Sequence, residues 1–303
     1  MSTTTPFRQR GLGCANGLST MAVEWIDTHC HWDAAEFGSP TQAASLRGAA
    51  KQAGVSLCIV PAVHRQNFVA VRDWAHTHND AYALGIHPLH ALDAGDDDVA
   101  ALDAQLAACR DDPRLVAVGE IGLDGFVPAL QTPEAKAHCA HIYRSQLKLA
   151  RKHQLPVILH VRKSADDLLK HLRQLPVCGG IAHAFNGSAV QAAAFTSAGF
   201  CLGFGGTLTF EASRQIRRLA QDTALTHVVL ETDGPDIPPH WLYVTAHARA
   251  QGQRQAPNSS RELPRIAEVM AGLKGVSLGA LAAQTQLNAC RVLPRLAKLV
   301  LKP

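Results

Sequence analysis

Several features that would place a protein in a special class are missing from this chain of 303 residues. It contains no run of about 18 apolar residues, so we expect no membrane-spanning helix. Its eight cysteines form no Cys-x-x-Cys pair, which argues against a zinc ribbon or a dithiol redox motif. The amino terminus lacks the apolar core of a secretory signal. Unpaired cysteines in apolar runs, such as Cys58 and Cys201, favour a reducing compartment. We therefore expect a cytoplasmic protein.

The composition is that of an ordinary globular chain, with 47% hydrophobic and 18% charged residues. The net charge of +4 permits a nucleic-acid partner but does not by itself indicate one. No internal repeat, long linker or low-complexity tract is present, and nothing in the sequence indicates a protein partner. We expect one domain over residues 21–303, preceded by a disordered tail over residues 1–20 that shows no apolar periodicity.

Apolar segments of strand character alternate with amphipathic segments of helical character along the chain. Eight such alternations predict an α/β fold, and we favour a single (β/α)8 TIM barrel over a doubly wound open sheet. The barrel is favoured because polar residues end nearly every predicted strand, and only a barrel brings those ends to one mouth. A further helix near 261–273 and a pair at 277–287 and 289–300 complete the prediction. The strands are predicted near 23–28, 55–60, 81–86, 115–121, 156–160, 178–183, 199–204 and 227–232, and the intervening helices near 41–53, 65–78, 97–110, 133–154, 164–174, 188–197 and 211–221.

The first predicted strand leads directly into His29-Cys30-His31. Side chains alternate along a strand, so the two imidazoles point to one side and Cys30 to the other. Two imidazoles on one face can bind one metal ion. A lone His-x-His pair is weak evidence, so the prediction depends on the other strand ends.

Four further strands supply candidate ligands at their ends. Glu120 lies within an apolar run, where a carboxylate needs a cation or a metal as partner. His160, His183 and Asp233 end later strands in the same way. Six candidate ligands, with His29 and His31, are too many for one tetrahedral ion and favour two divalent ions bridged by a carboxylate. Imidazole and carboxylate together suit Zn, Mn or similar ions, and Mg less well.

These motifs, in this order, resemble the TatD family of metal-dependent DNases, which belongs to the amidohydrolase-like TIM barrels. The resemblance spans about residues 23 to 300, and it is more specific for the family than for the substrate. The motifs that carry it are Asp27-Thr28-His29-Cys30-His31, Gly85-Ile86-His87-Pro88, Gly119-Glu120-Ile121-Gly122-Leu123-Asp124, Leu159-His160-Val161-Arg162, His183-Ala184-Phe185-Asn186-Gly187, Gly203-Phe204-Gly205-Gly206-Thr207-Leu208-Thr209-Phe210 and Glu231-Thr232-Asp233.

The resemblance implies how the ligands divide between two ions. One ion would be held by His29, His31, Glu120 and Asp233. The other would be held by Glu120, His160 and His183, so that Glu120 forms the bridge. Glu120 and Asp233 are then the candidate catalytic residues, with Asp233 orienting or deprotonating the attacking water.

A second set of residues is predicted to contact substrate. His87 ends the third strand, where the alternative is a structural histidine before Pro88. Arg162 offers a planar fork that suits phosphate, and its alternative is an ion pair with Asp124 or Glu120. Glycines 203, 205 and 206 could present backbone N–H groups to a phosphate or could form only a tight turn. The tentative substrate-binding set is His87, Arg162, Asn186, Gly205 and Gly206.

The chain departs from the family pattern in loops and not at candidate ligands. Gly234 precedes Pro235 where the family commonly has Ala or Ser, and Gly125 with Phe126 replaces an aromatic residue directly after Asp124. The usual Arg-Asn-x-Pro is reduced to Pro257-Asn258-Ser259-Ser260. The segment 234–260 is predicted to be a long loop over the mouth, and its arginines are candidate phosphate contacts. These differences leave the substrate preference open.

We therefore predict a divalent-metal-dependent hydrolase, with two ions (Zn, Mn, Mg or similar), that cleaves phosphodiester bonds in nucleic acid, DNA being favoured. Two alternatives remain. The same site could act as an amidase, lactonase or deacylase, including aminoacyl-tRNA deacylation. The chain could also be a non-catalytic binder of metal or nucleic acid, although an intact ligand set argues against it.

Overall fold

The computed structural model describes residues 23–300, so the prediction of a disordered tail over residues 1–20 concerns residues outside this range. Eight parallel strands follow one another in sequence order around a single sheet, each paired with the next. They are β1 (Trp25–Asp27), β2 (Val55–Pro61), β3 (Ala81–Leu84), β4 (Leu115–Asp124), β5 (Val157–Arg162), β6 (Gly180–His183), β7 (Phe200–Phe204) and β8 (Val228–Leu230).

The first and last strands approach each other just beyond their carboxyl ends. Thr28 donates its backbone N–H to Leu230 O at 3.0 Å, and Asp233 donates to His29 O at 2.9 Å. These bonds join the two edges and leave the barrel nearly closed. The predicted (β/α)8 barrel is confirmed, and the open-sheet alternative is excluded.

Helices connect the strands, as predicted. Several begin at a serine or threonine whose hydroxyl accepts a backbone N–H, among them Ser39, Thr132 and Ser277. The helices are α1 (Pro40–Gln52), α2 (Phe68–His78), α3 (Asp96–Ala108), α4 (Pro133–Lys152), α5 (Ala165–Gln174), α6 (Ala189–Ser197), α7 (Arg214–Asp222), α8 (Ala246–Ala250), α9 (Leu263–Lys274), α10 (Leu278–Val292) and α11 (Ala297–Val300).

Two details of the carboxyl-terminal third differ from the prediction. The helix pair predicted at 277–287 and 289–300 is present, but its break lies later in the chain. The helix α10 runs through residue 288 to Val292, and α11 begins at Ala297, with Pro294 between them. The break lies there because proline has no N–H to continue the helical bonds. The predicted loop at 234–260 contains the short helix α8.

The core has two layers. Inward-facing strand residues such as Ile26, Ile59 and Val116 form one buried cluster with Val292 and Leu296 near the carboxyl terminus. A larger cluster fills the space between the strands and the surrounding helices. Because one end of the barrel is filled with apolar side chains, the polar residues at the strand ends lie at the opposite mouth. Within residues 23–300, no single helix is long and apolar enough to cross a membrane, and only the bent pair Ser260–Lys274 and Leu278–Val292 passes by length and composition.

Candidate metal centre

A cleft of about 910 Å³ opens at the carboxyl ends of the strands. In a TIM barrel the loops at this end carry the active site. Every strand or the loop that follows it contributes to the lining, so the predicted convergence of strand ends is present. The contributors include His31, His64, His87, Phe126, Arg162, Asn186, Thr207 and Asp233.

Glu120 lies at the centre of the ligand cluster. Its Oε2 is 3.0 Å from His29 Nε2 and 3.4 Å from His31 Nε2. Its Oε1 is 2.9 Å from His160 Nδ1 and 3.3 Å from His87 Nε2. Each oxygen of one carboxylate therefore faces a different pair of imidazoles, which is the arrangement that a bridging ligand requires.

A register irregularity in β4 gives Glu120 this position. Val118 pairs with Val157 and Ile121 pairs with Leu159, so β4 contains one more residue than β5 across this interval. An extra residue in a strand bends it locally and redirects a side chain. Gly119 fits here because a Cβ would lie 2.8 Å from Ile158 Cβ.

Asp233 and His183 complete the cluster. Asp233 Oδ1 lies 3.7 Å from Nε2 of both His29 and His31, and 3.5 Å from His183 Nε2. The rings of His29 and His183 stack at 3.6 Å. Asp233 has a left-handed backbone, with φ of 58°, a conformation that is uncommon for a residue other than glycine. The structure thus brings all six predicted ligands together.

The donor atoms form three overlapping triplets that could each hold an ion. This grouping associates His183 with His29, whereas the sequence prediction paired it with His160. It also adds His87, which the sequence prediction assigned only to substrate. The triplets are His29, His31 and Asp233; His29, Glu120 and His183; and His87, Glu120 and His160.

The donor set fits divalent cations. The Nε2 atoms of His29 and His31 lie 3.1 Å apart, so they can share at most one proton between two lone pairs. Burial lowers the pKa of His29 well below its usual value, which keeps that ring neutral and able to bind a metal. Mixed imidazole and carboxylate donors are typical of zinc and related ions.

Two other imidazoles are shifted in the opposite direction. Burial lowers the pKa of His31, but the hydrogen bond and charge of Glu120 outweigh it and raise the value to about 9. Burial likewise opposes the charges of Glu231 and Asp233, which raise the pKa of His183 to about 10. In the metal-free protein both rings therefore carry two protons and a positive charge at neutral pH. A metal ion that binds there must displace one proton from each ring.

The two carboxylates also differ. Burial raises the pKa of Asp233 to about 7, although His183 and His31 act against it. Burial has the same effect on Glu120, but His87 and His29 outweigh it and hold the pKa of Glu120 well below its usual value. The ionised form of Glu120 is therefore favoured, whereas Asp233 titrates near neutrality.

Three buried acids orient the candidate ligands, and sequence reasoning did not assign them this role. Asp124 Oδ2 lies 3.0 Å from His160 Nε2, which leaves Nδ1 of the same ring facing Glu120. Glu231 Oε1 lies 3.1 Å from His183 Nδ1. Asp27 accepts the backbone N–H of His29. The available signal was that each acid lies in or beside a strongly apolar run.

The predicted substrate residues have distinct surroundings. Arg162 is half exposed, with its NH1 group 3.8 Å from Asp124 Oδ2. Its guanidinium carbon lies 3.9 Å from the centre of the Phe126 ring. Asn186 and His87 line the cleft beside it. Arg162 can therefore stay close to Asp124 and still present its exposed N–H groups to a substrate phosphate, so the two predicted roles do not exclude each other.

Packing accounts for the glycines at 205 and 206. A Cβ on Gly205 would lie 2.8 Å from Glu231 O, and one on Gly206 would lie 2.2 Å from Ile237 O. Neither glycine is among the described residues that line the cleft. Their predicted contact with substrate phosphate stays a prediction.

The arginines of the 234–260 loop do not lie where the sequence suggested. Arg249 donates a hydrogen bond to Val244 O within the loop. Among the described residues, Arg162 and Lys163 are the only arginine and lysine that line the cleft. The loop is instead fixed by Asn258, whose amide donates to the backbone oxygens of Thr232, Asp236 and Ile237.

A barrel whose mouth carries converging imidazoles and carboxylates around one central glutamate defines the class of the protein as a metal-dependent hydrolase. Comparison with known proteins identifies the family. The family model for TatD related DNase matches residues 26–294. The chain therefore belongs to the TatD family.

Individual relatives agree with this assignment. The uncharacterized metal-dependent hydrolase YjjV of Escherichia coli K12 is 38% identical over 257 residues, covering 84% of this chain and 92% of that protein. The crystal structure of YjjV superposes with a TM-score of 0.78 at 32% identity, covering 90% of this chain and 99% of that chain. Human deoxyribonuclease TATDN3 is 26% identical over 94% of this chain and its own full length.

Proposed function

We propose that this metal-dependent hydrolase is a deoxyribonuclease that cleaves phosphodiester bonds. The observation that carries the proposal is the position of Arg162 and Lys163 in the lining of the cleft that contains the ligand cluster. Two cationic side chains beside a metal centre suit a nucleic-acid substrate, which carries a negative charge on the phosphate of every nucleotide. The name of human TATDN3 supports the same activity.

Two divalent ions, such as Zn, Mn or Mg, are proposed to bind the cluster. His29, His31, Glu120 and Asp233 would hold one ion. Glu120, His160 and His183 would hold the other, as the family resemblance implies. In the structure His87 groups with Glu120 and His160, whereas His183 groups with His29 and Glu120. Bound there, divalent ions would supply an activated water and neutralise charge on the phosphate.

The chain's own residues provide the remaining functions. Asp233, whose carboxylate lies within 3.7 Å of His29 and His31, is proposed to take a proton from the attacking water. Arg162 can donate two parallel N–H groups to the phosphate oxygens. Asn186 and His87 line the same cleft and are proposed to position the substrate. The ionised Glu120 carboxylate lies between two pairs of imidazoles, with one oxygen facing each pair.

One observation favours a second candidate function. Asp33, Glu36 and Asp236 also line the cleft, on the side of the loops after β1 and β8. Carboxylates repel a phosphate backbone, whereas an ester, a lactone or an amide carries no such charge. A metal-dependent hydrolase of uncharged esters, lactones or amides is therefore the alternative that these carboxylates favour.

Hydrolysis assays separate the two candidates. The full-length protein, loaded in turn with Mn, Zn or Mg, would be incubated with single-stranded and duplex DNA, RNA, and a panel of esters, lactones and amides. Metal-dependent cleavage of DNA that stops with EDTA and is lost in Glu120→Gln would support the nuclease. Hydrolysis of acyl substrates without any cleavage of DNA or RNA would replace it with the acyl hydrolase.

A further inference from the structure

An exposed aromatic ring lies beside the two cations of the cleft. Phe126 is 50% exposed, although an aromatic ring is usually buried. The guanidinium carbon of Arg162 is 3.9 Å from its ring centre, and Lys163 Nζ is 4.8 Å from it. Both distances allow a cation–π interaction. We call Phe126, Arg162 and Lys163 the rim platform.

The rim platform is held by its backbone. Asp124 Oδ1 accepts the N–H of Phe126 at 2.7 Å, and Gly125 donates its N–H to Arg162 O at 2.7 Å. A Cβ on Gly125 would lie 2.2 Å from Lys163 O, so glycine is needed for the two loops to approach. The backbone that carries the ring is therefore fixed relative to the backbone of both cations.

The same carboxylate that fixes the ring also contacts a candidate metal ligand. Asp124 uses Oδ1 for the backbone of Phe126 and Oδ2 for His160 Nε2. The rim platform and the ligand cluster are thus connected through one buried residue. The acidic cleft residues outside the ligand cluster, Asp33, Glu36 and Asp236, follow β1 and β8. The rim platform lies at the ends of β4 and β5 and just beyond them. A polyanion would be favoured on the rim-platform side.

We propose that the rim platform is a binding subsite for an unpaired nucleobase of the substrate strand. The base stacks on the exposed part of Phe126, while Arg162 and Lys163 contact the neighbouring phosphates. Such stacking tolerates any base because every base has a π-face, and it requires a base that is free of its duplex partner. This inference rests on the proposed nuclease function, since only a nucleic-acid substrate brings a base to the rim.

Binding measured without turnover tests the subsite. A fluorescently labelled DNA strand would be titrated in EDTA and followed by anisotropy, beside an abasic strand of equal length and charge. Removing one base–aromatic stack should weaken binding of the normal strand about 5- to 100-fold in Phe126→Ala. Phe126→Trp should retain the affinity. The affinity for the abasic strand should be the same in all three proteins.

Leu89→Ala is the matched control, because Leu89 lines the same cleft and is 49% exposed but has no π-face. It should bind the normal strand as the wild type does. Equal losses in Phe126→Ala and Leu89→Ala, equal losses on normal and abasic strands, or no loss at all would overturn the stacking subsite. Wild-type protein that prefers normal over abasic strands yet cleaves no DNA with metal would overturn the nuclease and leave the subsite standing.

Discussion

Asp27 and Thr232 connect the first and last strands of the barrel through two hydrogen bonds. Asp27 Oδ2 accepts the Thr232 hydroxyl at 2.6 Å, and Oδ1 accepts the Thr232 N–H at 3.0 Å. Oδ1 also accepts the N–H of His29 at 3.2 Å. One buried carboxylate therefore contacts His29 itself and the residue next to Asp233, so it fixes two candidate ligands that come from opposite ends of the chain.

Removing this carboxylate should destabilise the protein. Asp27→Ala leaves three buried donors without an acceptor, so we expect the free energy of unfolding to fall by about 2–4 kcal/mol. Urea denaturation followed by circular dichroism would measure it. Asp111→Ala, whose side chain is 92% exposed, is the control and should change little. Equal midpoints for both variants would show that Asp27 does not hold the strand ends.

The bridging role of Glu120 predicts a change in metal content. Glu120→Gln replaces one charged oxygen with an amide NH₂, which cannot coordinate a cation, so one face of the bridge is lost. Elemental analysis of dialysed protein should find about two ions per chain in the wild type and fewer in the variant. Glu134→Gln, on the exposed start of α4, should keep the wild-type content. Full metal content in Glu120→Gln would contradict the bridge.

Much of this site could be predicted from the sequence, because its signal is local. A long apolar run that ends in His, Glu or Asp identifies both a strand and a candidate ligand, as at His160 and Asp233. The orienting contacts could not be predicted in this way. Asp124 reaches His160 only because β4 and β5 pair in a particular register, with an extra residue between Val118 and Ile121. Register between strands depends on packing across the whole barrel and leaves no local pattern.

The proposed proton acceptor can be tested separately from the fold. Asp233→Asn removes the carboxylate that would take a proton from water, so turnover of DNA should fall by about 10²- to 10⁴-fold. Asp236→Asn changes another cleft-lining carboxylate nearby and should have a much smaller effect. Initial rates under saturating metal would give the comparison. Similar rates for the two variants would remove Asp233 from the mechanism.

Arg162 should act on substrate affinity. Its guanidinium lies at the rim and not within the ligand cluster, so Arg162→Ala should raise KM for DNA with a small change in kcat. Losing one phosphate contact should also reduce the slope of log affinity against log salt by about 1. Arg218→Ala, on the exposed face of α7, is the charge-matched control. An unchanged salt slope in Arg162→Ala would mean that the arginine does not contact phosphate.

Metal uptake should release protons and strengthen with pH. In the metal-free protein the pKa of His31 is about 9 and that of His183 about 10, so both rings are protonated at pH 7. Asp233, with a pKa of about 7, is partly protonated as well. A metal binds only the deprotonated forms, so binding at pH 7 must displace these protons, and the apparent affinity should rise as the pH increases from 7 toward 9.

Calorimetric titration with Mn in buffers of different ionisation enthalpy would count the protons released. His76→Gln, at an exposed imidazole that pairs with Asp112 far from the cluster, should release the same number as the wild type, whereas His31→Gln should release fewer. An observed enthalpy that does not depend on the buffer would show that these imidazoles are already deprotonated and would exclude them as the source of the pH dependence.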